Sequence, residues 1–281
     1  MAENQLYVVA TPIGNLADIT TRAHQVLEMV DIIAAEDTRH TKRLLNHLGF
    51  SKPLMAVHDH NESHAATSIL EKLKAGQNVA LVSDAGTPLI ADPGFHVTRA
   101  VAEAGFNIVP IPGACAIITG LCAAALPTDR FIFDGFLPPK TNARQQYFNG
   151  IKNEERTVVV YESPHRILDS LKDLAVIMGD EKELVLGREL TKTFETFLRG
   201  TVSEIRARML ADHNQLKGEF VVMIRGAASK KKLDVSPEAL DLTLLLSTEL
   251  PLKKAAALAA KFTGFKKNQL YQLALEHKDQ E

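Results

Sequence analysis

Short β-branched runs at residues 6–10, 32–35, 54–57, 79–82, 108–111 and 131–134 alternate along the first half of the chain with stretches of helical spacing. Ala65, Ile69, Leu70 and Leu73 form one apolar stripe, and Val97, Ala100, Val101 and Ala104 form another before Gly105. Parallel strands need a long crossover between them and a helix is the compact one, so this rhythm predicts a mainly parallel sheet covered by helices. The expected fold class is α/β.

The rhythm breaks around Gly135 to Lys140, where Pro138 and Pro139 cannot continue a helix or a central strand. A domain boundary is expected there, giving an N-terminal α/β domain over 1–135 and a second over 136–227. Strands of the second are expected near 157–161, 183–187, 193–198 and 220–225. Ser163 and Pro164 read as N-cap and first position of a helix carrying Ile167, Leu168, Leu171 and Leu174. The polar stretch 228–236, with Lys230, Lys231 and Lys232, reads as a linker to a helical tail over 228–281. A length of 281 residues suits two compact domains and such an appendage.

Composition narrows the setting. With 46% hydrophobic and 23% charged residues the chain has the balance of a protein that buries a core. No run approaches the roughly 20 apolar residues that span a bilayer, and the start lacks a basic segment before its short apolar run, so a cytoplasmic protein without a membrane partner is expected. Cys115 and Cys122 lie in an apolar helical stretch and are expected to be buried thiols on one helix face, not a disulfide framework. Residues 229–281 hold nine lysines against seven acids, a modest basic tail on a body with 23 basic and 27 acidic residues.

The residues with chemical promise follow strands of the first half: 11–16 (TPIGNL), 83–94 (SDAGTPLIADPG) and 112–115 (PGAC). Ligands of open α/β sheets collect at the carboxyl ends of strands, where glycines let a ligand approach the backbone. Two glycines, two prolines and two aspartates within residues 83–94 exceed the needs of one turn, whereas Pro112–Gly113 alone is ordinary turn chemistry. The chain has no G-x-G-x-x-G after its first strand, no phosphate-binding G-x-x-x-x-G-K-[ST], no G-x-S-x-G and no H-E-x-x-H. Hydride transfer, P-loop phosphoryl transfer, serine hydrolysis and zinc proteolysis lose support.

Residues 7–16 (YVVATPIGNL), 35–39 (AEDTR), 58–62 (HDHNE), the loop 83–94, residues 161–166 (YESPHR) and 188–192 (RELTK) together resemble the tetrapyrrole methylase superfamily. Within it they are similar to bacterial members that 2′-O-methylate a cytidine of small-subunit (16S) ribosomal RNA. The likeness covers nearly the whole chain, with Ala114 where proline is expected. It implies two α/β domains with a cofactor cleft between them, S-adenosyl-L-methionine as methyl donor, ribosomal RNA or the small ribosomal subunit as partner, and a homodimer. Carried over to this chain, the cofactor candidates are Pro12, Asp84, Ala85, Gly86, Thr87, Ile90, Pro112, Gly113, Ala114 and Cys115. Ile90 would pack on adenine and Asp84 would accept hydrogen bonds from ribose or amine, or cap its own loop. Gly86 is expected to bring its backbone to the ligand.

Alignment of donor and acceptor should do most of the work of methyl transfer, with a carboxylate or imidazole helping to remove the hydroxyl proton. Asp37, Glu62, Glu162 and His165 are the candidates, each with an ordinary structural role as alternative. Arg39, Arg166 and Arg188 suit phosphate, since guanidinium matches its geometry. In the tail, Leu252, Ala255, Ala256, Ala259 and Phe262 form an apolar stripe, leaving Lys253, Lys254, Lys266 and Lys267 to dock nucleic acid or simply to solubilise. No resident metal is expected. The alternatives are a small-substrate methylase on the same fold, a metal-dependent hydrolase using His58, His60, Glu62 and His64, and a ribosome-assembly factor that binds RNA without catalysis.

Overall fold

The computed structural model describes residues 4–58, 60–228 and 235–278. The chain forms two compact units, Met1–Ala227 and Ala228–Glu281.

The first unit opens with a five-stranded sheet in the order β3 (Leu54–Ala56), β2 (Ile32–Ala35), β4 (Val79–Val82), β1 (Gln5–Val9), β5 (Asn107–Ile111). All its pairings are parallel. Strands β2 and β4 are buried along their whole length, which is why they read as unbroken apolar runs. Side chains alternate between faces: Ile32, Ala34, Val79 and Leu81 pack with α3 (Glu62–Lys74) and α4 (Phe95–Glu103). Ile33, Ala35, Ala80 and Val82 pack on the other face with α1 (Thr21–Met29) and α2 (Thr38–Leu48). The neighbours β1 and β4 therefore feed helices on opposite faces, α1 after one and α4 after the other. A crevice opens between adjacent parallel strands at such a switch point, beyond their carboxyl ends.

The second sheet has the order β6 (Phe131–Phe136), β7 (Thr157–Glu162), β10 (Phe220–Ile224), β8 (Glu183–Arg188), β9 (Thr196–Thr201). It is mixed: β6 and β7 are parallel and the other pairings antiparallel. Its outer face is covered by α6 (Thr141–Gly150), α7 (Ile167–Met178) and α8 (Val202–Ala211). Helix α5 (Ala116–Ala124), which follows β5 of the first sheet, lies on the other face. Its Ile117, Leu121 and Ala124 share a core with Val159, Val185, Val221 and Met223, and with Ile13 from the loop after β1. That core places the loops of the first sheet against the second.

Several local expectations change. Residues 131–134 do form a strand, but it belongs to the second sheet, so the boundary expected at 135/136 falls inside β6. Strand β9 starts at Thr196, because a turn closes first, with the Glu195 N–H donating to the Lys192 carbonyl. Helix α7 begins at Ile167, not at Ser163: the N–H groups of Arg166 and Ile167 both donate to the Ser163 carbonyl in a preceding turn. Cys115 sits at the N-cap of α5 half-buried, and Cys122 is exposed.

In the second unit, α9 (Pro237–Glu249), α10 (Leu252–Thr263) and α11 (Lys267–Lys278) pack around Ala239, Ala256, Ala259 and Leu270. Ser236 caps α9 by accepting from the Ala239 N–H, and Pro237 follows at its first turn. Ala255, Ala256 and Ala259 are buried as the stripe required, but Phe262 is 85% exposed and does not join it. Most of the expected linker, including Lys230, Lys231 and Lys232, lies outside the described residues.

Candidate active site

The three loops at the carboxyl ends of β1, β4 and β5 are tied to one another. Thr11 and Gly86 exchange backbone hydrogen bonds of 2.8 and 3.1 Å, and the Thr11 hydroxyl donates to the Ser83 carbonyl at 3.2 Å. The Thr87 hydroxyl donates to the Ala114 carbonyl at 3.1 Å, joining the second loop to the third. Gly86 holds φ at +87°, and a Cβ there would sit 3.3 Å from Ile13 Cγ2. Gly86 and Thr87 thus pin the loops together, the Gly86 N–H and carbonyl both pairing with Thr11. Leu89 and Ala91 in the second loop have φ of 72° and 66°. Such conformations cost roughly 1–3 kcal/mol each and persist where surroundings enforce them, often at functional sites.

Two cavities meet at these loops. One, of about 330 Å³, runs between the first-sheet loops and the second sheet, lined by apolar Ile13, Ala116, Phe136, Leu190 and Val221 and by Tyr161. Its charged lining is acidic, from Glu36, Asp84, Asp92, Glu162 and Glu219, with Ser163 beside them. A small apolar pocket edged with carboxylates suits a compact organic cation. The other cavity, of about 460 Å³, holds Thr11, Pro12, Gly14 and Leu16 together with His40, Arg43 and Lys192. Ile13, Asp84, Ala85 and Glu219 line both cavities and so form the wall between them.

Asp84 is held firmly in that wall. Its Oδ1 accepts from the Asp37 N–H at 2.9 Å, and its Oδ2 lies 3.3 Å from His40 Nδ1. It binds across to the start of α2 instead of capping its own loop. On the opposite side Lys192 Nζ donates to Glu189 and Glu219, both at 2.9 Å, with its stem laid over Gly14. Burial opposes the charge on Lys192, but those two hydrogen bonds outweigh it and raise its pKa above the usual lysine range. Glu189 and Thr191 beside it have φ of 50° and 66°, a second strained segment facing the same cleft. Burial, with nearby negative charge, pushes the Tyr161 phenol above the ordinary tyrosine range, so it stays protonated.

The cofactor candidates are only partly brought together. Asp84 and Ala85 line both cavities and Pro12 the larger, while Ile90, Pro112, Gly113, Ala114 and Cys115 line neither. Ala114 and Cys115 pack instead with α5 on the second sheet. Glu219 and Val221 were not singled out from sequence, and Ile13, Tyr161 and Leu190 appeared there only inside the motifs 11–16, 161–166 and 188–192, with no role assigned to them. Their chemistry is that of an ordinary strand or turn, and only the docking of the second sheet makes them lining residues.

The four proposed bases are largely engaged. The Arg39 side chain hydrogen-bonds Asp37 and holds its carboxyl far below the usual range, while Asp37 also caps α2 by accepting from the Arg39 N–H. Glu62 is buried and its Oε1 accepts from the N–H groups of Gly94, His96 and Val97, closing the N-terminus of α4. Glu162 accepts from the Ser163 N–H, Arg166 and Ser170. His165 is exposed and lines neither cavity.

Of the arginines expected to meet phosphate, Arg39 is exposed beside Asp37 and Arg166 pairs with Glu162 at 2.7 Å. Arg188 is buried, with Nη1 and Nη2 donating to the carbonyls of Lys217 and Phe194 and to Thr196 and with Nε left without a hydrogen-bond partner among the described residues, so its guanidinium is turned inward and not presented to solvent. The tail lysines Lys253, Lys254, Lys266 and Lys267 are all exposed. The metal-hydrolase alternative loses Glu62 to the α4 backbone, and among the described residues no group of three or more His, Cys, Asp or Glu is placed to hold a metal. Among the same residues no helix is long and apolar enough to cross a membrane.

The chain is similar to known proteins over almost its full length. The family described as Tetrapyrrole (Corrin/Porphyrin) Methylases matches residues 5–206, and the RsmI C-terminal HTH domain matches residues 234–278. The Ribosomal RNA small subunit methyltransferase I of Haemophilus influenzae is 53% identical over 97% of this chain and 96% of that protein. The protein of the same description from Escherichia coli O157:H7 is 54% identical over 98% and 96%. Solved structures share the fold at low identity. A diphthine synthase superposes with a TM-score of 0.61 at 13% identity over 79% of this chain and 90% of its own. The cobalt precorrin-4 methyltransferase of cobalamin biosynthesis gives 0.57 at 15% over 79% and 94%.

Proposed function

The chain belongs to the tetrapyrrole methylase family, and from that premise we propose that it transfers a methyl group from S-adenosylmethionine to the ribose 2′-oxygen of a cytidine in small-subunit ribosomal RNA. The observation that carries the donor assignment is the acidic cavity of about 330 Å³ between the two sheets. S-adenosylmethionine bears a sulfonium and an ammonium, and the carboxylates of Glu36, Asp84, Asp92 and Glu219 complement both, while Ile13, Leu190 and Val221 suit its apolar parts. The acceptor assignment rests on relatives described as ribosomal RNA small subunit methyltransferases, about half identical across the chain. On the same reading it works in the cytoplasm as a homodimer, which sedimentation of the purified protein would check.

When bound, S-adenosylmethionine supplies an already activated methyl group. The protein's task is then to hold and exclude. Asp84, fixed by Asp37 and His40, gives the wall between the cavities a rigid carboxylate. The Thr11–Gly86 and Thr87–Ala114 hydrogen bonds keep the three loops in one register, and near-attack alignment is worth several kcal/mol in such reactions. With Asp37, Glu62 and Glu162 committed to structural partners, catalysis is expected to lean on alignment more than on a dedicated base.

A ribose acceptor has a direct test. A 2′-O-methyl removes the hydroxyl that attacks the adjacent phosphate in alkali, so small-subunit RNA treated with the protein should show a gap at one cytidine of an alkaline ladder. A methylated base with an unbroken ladder would reject the acceptor.

The exposed tail lysines make a second expectation. Charge reversal at Lys253, Lys254, Lys266 and Lys267 should weaken RNA binding and flatten its salt dependence, by about one unit of slope for each phosphate no longer neutralised. Affinity for S-adenosylmethionine should hold. An unchanged salt slope in a folded variant would reduce the tail to a packing element.

A further inference from the structure

The larger cavity is not needed to explain donor binding, yet it shares a wall with the donor cavity, and the ionisable groups it adds to the shared Asp84 and Glu219 are basic: His40, Arg43 and Lys192. Helix α2, which forms one side, bears Arg39, His40, Lys42, Arg43 and His47 and no acid along its length. This stands out on a body whose acids outnumber its bases. Arg39 and Arg43 are four residues apart and so share a face. Arg39 is paired with Asp37, whereas Arg43 is exposed and no hydrogen bond or ion pair engages it among the described residues. Lys192 lies on the other side, its ammonium already held by Glu189 and Glu219, which leaves Arg43 as the cation of this lining without an ion-pair partner among the described residues. Pro12, Ile13, Leu16 and Leu44 supply an apolar face, with Leu16 41% exposed into solvent.

An apolar face beside an unpaired guanidinium matches one nucleotide: a flat base and sugar with an anionic phosphodiester. Group transfer also requires donor and acceptor to meet, and Ile13, Asp84, Ala85 and Glu219 are common to both cavities. We propose that the cavity between α2 and the β8–β9 turn is the acceptor-nucleotide subsite, with Arg43 binding the phosphate beside the target ribose and Leu16 packing on the nucleotide. This rests on the RNA methylation reading above and extends it to residues outside the donor-binding loops. It also makes α2 a phosphate-binding element.

Two variants test it, with unmodified small subunits as substrate. Arg43→Glu should raise KM for the subunit about tenfold or more, since a hydrogen bond to a charged group is lost and a repulsion gained. Its kcat should change little, and the salt slope of binding should fall by about one. Leu16→Trp fills the cavity without removing any charge and should also raise KM. Both should bind S-adenosylmethionine like the wild type, because neither residue lines the donor cavity; calorimetry reads this and confirms that the variants fold. Wild-type KM and salt slope in both variants would overturn the subsite. If the wild type itself transfers no methyl to small subunits, the RNA reading fails instead. Binding of a fluorescent cytidine-containing RNA oligonucleotide then still reads the subsite, supported by a loss in Arg43→Glu and overturned by equal affinity.

Discussion

Arg144→Ala should lower the stability of the Met1–Ala227 unit by about 3–5 kcal/mol, the usual consequence of leaving one member of a buried ion pair alone. Arg144 on α6 and Asp173 on α7 have side chains only 3% and 7% exposed, and their closest N···O distance is 2.5 Å. The guanidinium also donates from Nη1 to the carbonyls of Pro138 and Pro139, both at 3.3 Å. It therefore closes the break after β6 as well as neutralising Asp173. Without it, the Asp173 carboxylate keeps the Gln145 amide, at 2.8 Å, as its side-chain donor among the described residues. Desolvation already opposes both charges, so the pair gains little over apolar residues of similar size. The double variant Arg144→Met/Asp173→Leu should accordingly recover most of the loss. Urea denaturation of the three proteins checks both statements. A deficit in Arg144→Ala below about 1 kcal/mol would mean the pair behaves as a solvated surface bridge.

Gly113→Val should weaken S-adenosylmethionine binding by roughly tenfold to a hundredfold, although Gly113 lines neither cavity. A Cβ at this position would lie 2.9 Å from Ala10 Cβ and 3.3 Å from the Ala10 carbonyl oxygen. Both belong to the rigid end of β1, so the third loop must move outward. Its Ala114 carbonyl holds Thr87, and Thr87 neighbours the Gly86 bridge to Thr11. The displacement thus reaches Ala85 and Asp84 in the shared wall, where small errors in placement are costly. Calorimetry of wild type, Gly113→Ala and Gly113→Val should give graded losses, because alanine adds one atom and valine three. Unchanged affinity in a folded valine variant would detach the third loop from the cofactor site.

The sheet, its parallel character and the loops that matter were legible because their signals are local. Strands β2 and β4 announce themselves as short apolar runs since both their faces are buried, and α3 and α4 as stripes since only one of theirs is. Where local chemistry allowed two answers, the reading went astray. Ser163–Pro164 is a good helix start in isolation, but Glu162 takes the Ser163 N–H and Arg166, and the segment becomes a turn. Phe262 belongs to an apolar stripe by its spacing yet is exposed to solvent, and Arg188, chosen for phosphate, is turned inward onto carbonyls.

The sequence by itself determined the order of the elements, the α/β class and the family, because hydrophobic periodicity and the long motifs at 7–16 and 83–94 are carried by neighbouring residues. Tertiary structure alone decided which polar groups remain available for chemistry. Glu62 reads as a base until α4 docks its N-terminus on it, and Asp84 reads as a loop cap until α2 presents the Asp37 N–H. The wall between the cavities likewise joins Ile13 and Asp84 of one sheet's loops to Glu219, just before the central strand β10 of the other. No spacing along the chain relates such residues. A carboxylate takes whatever donor folding brings within about 3 Å, and that donor comes from a distant segment.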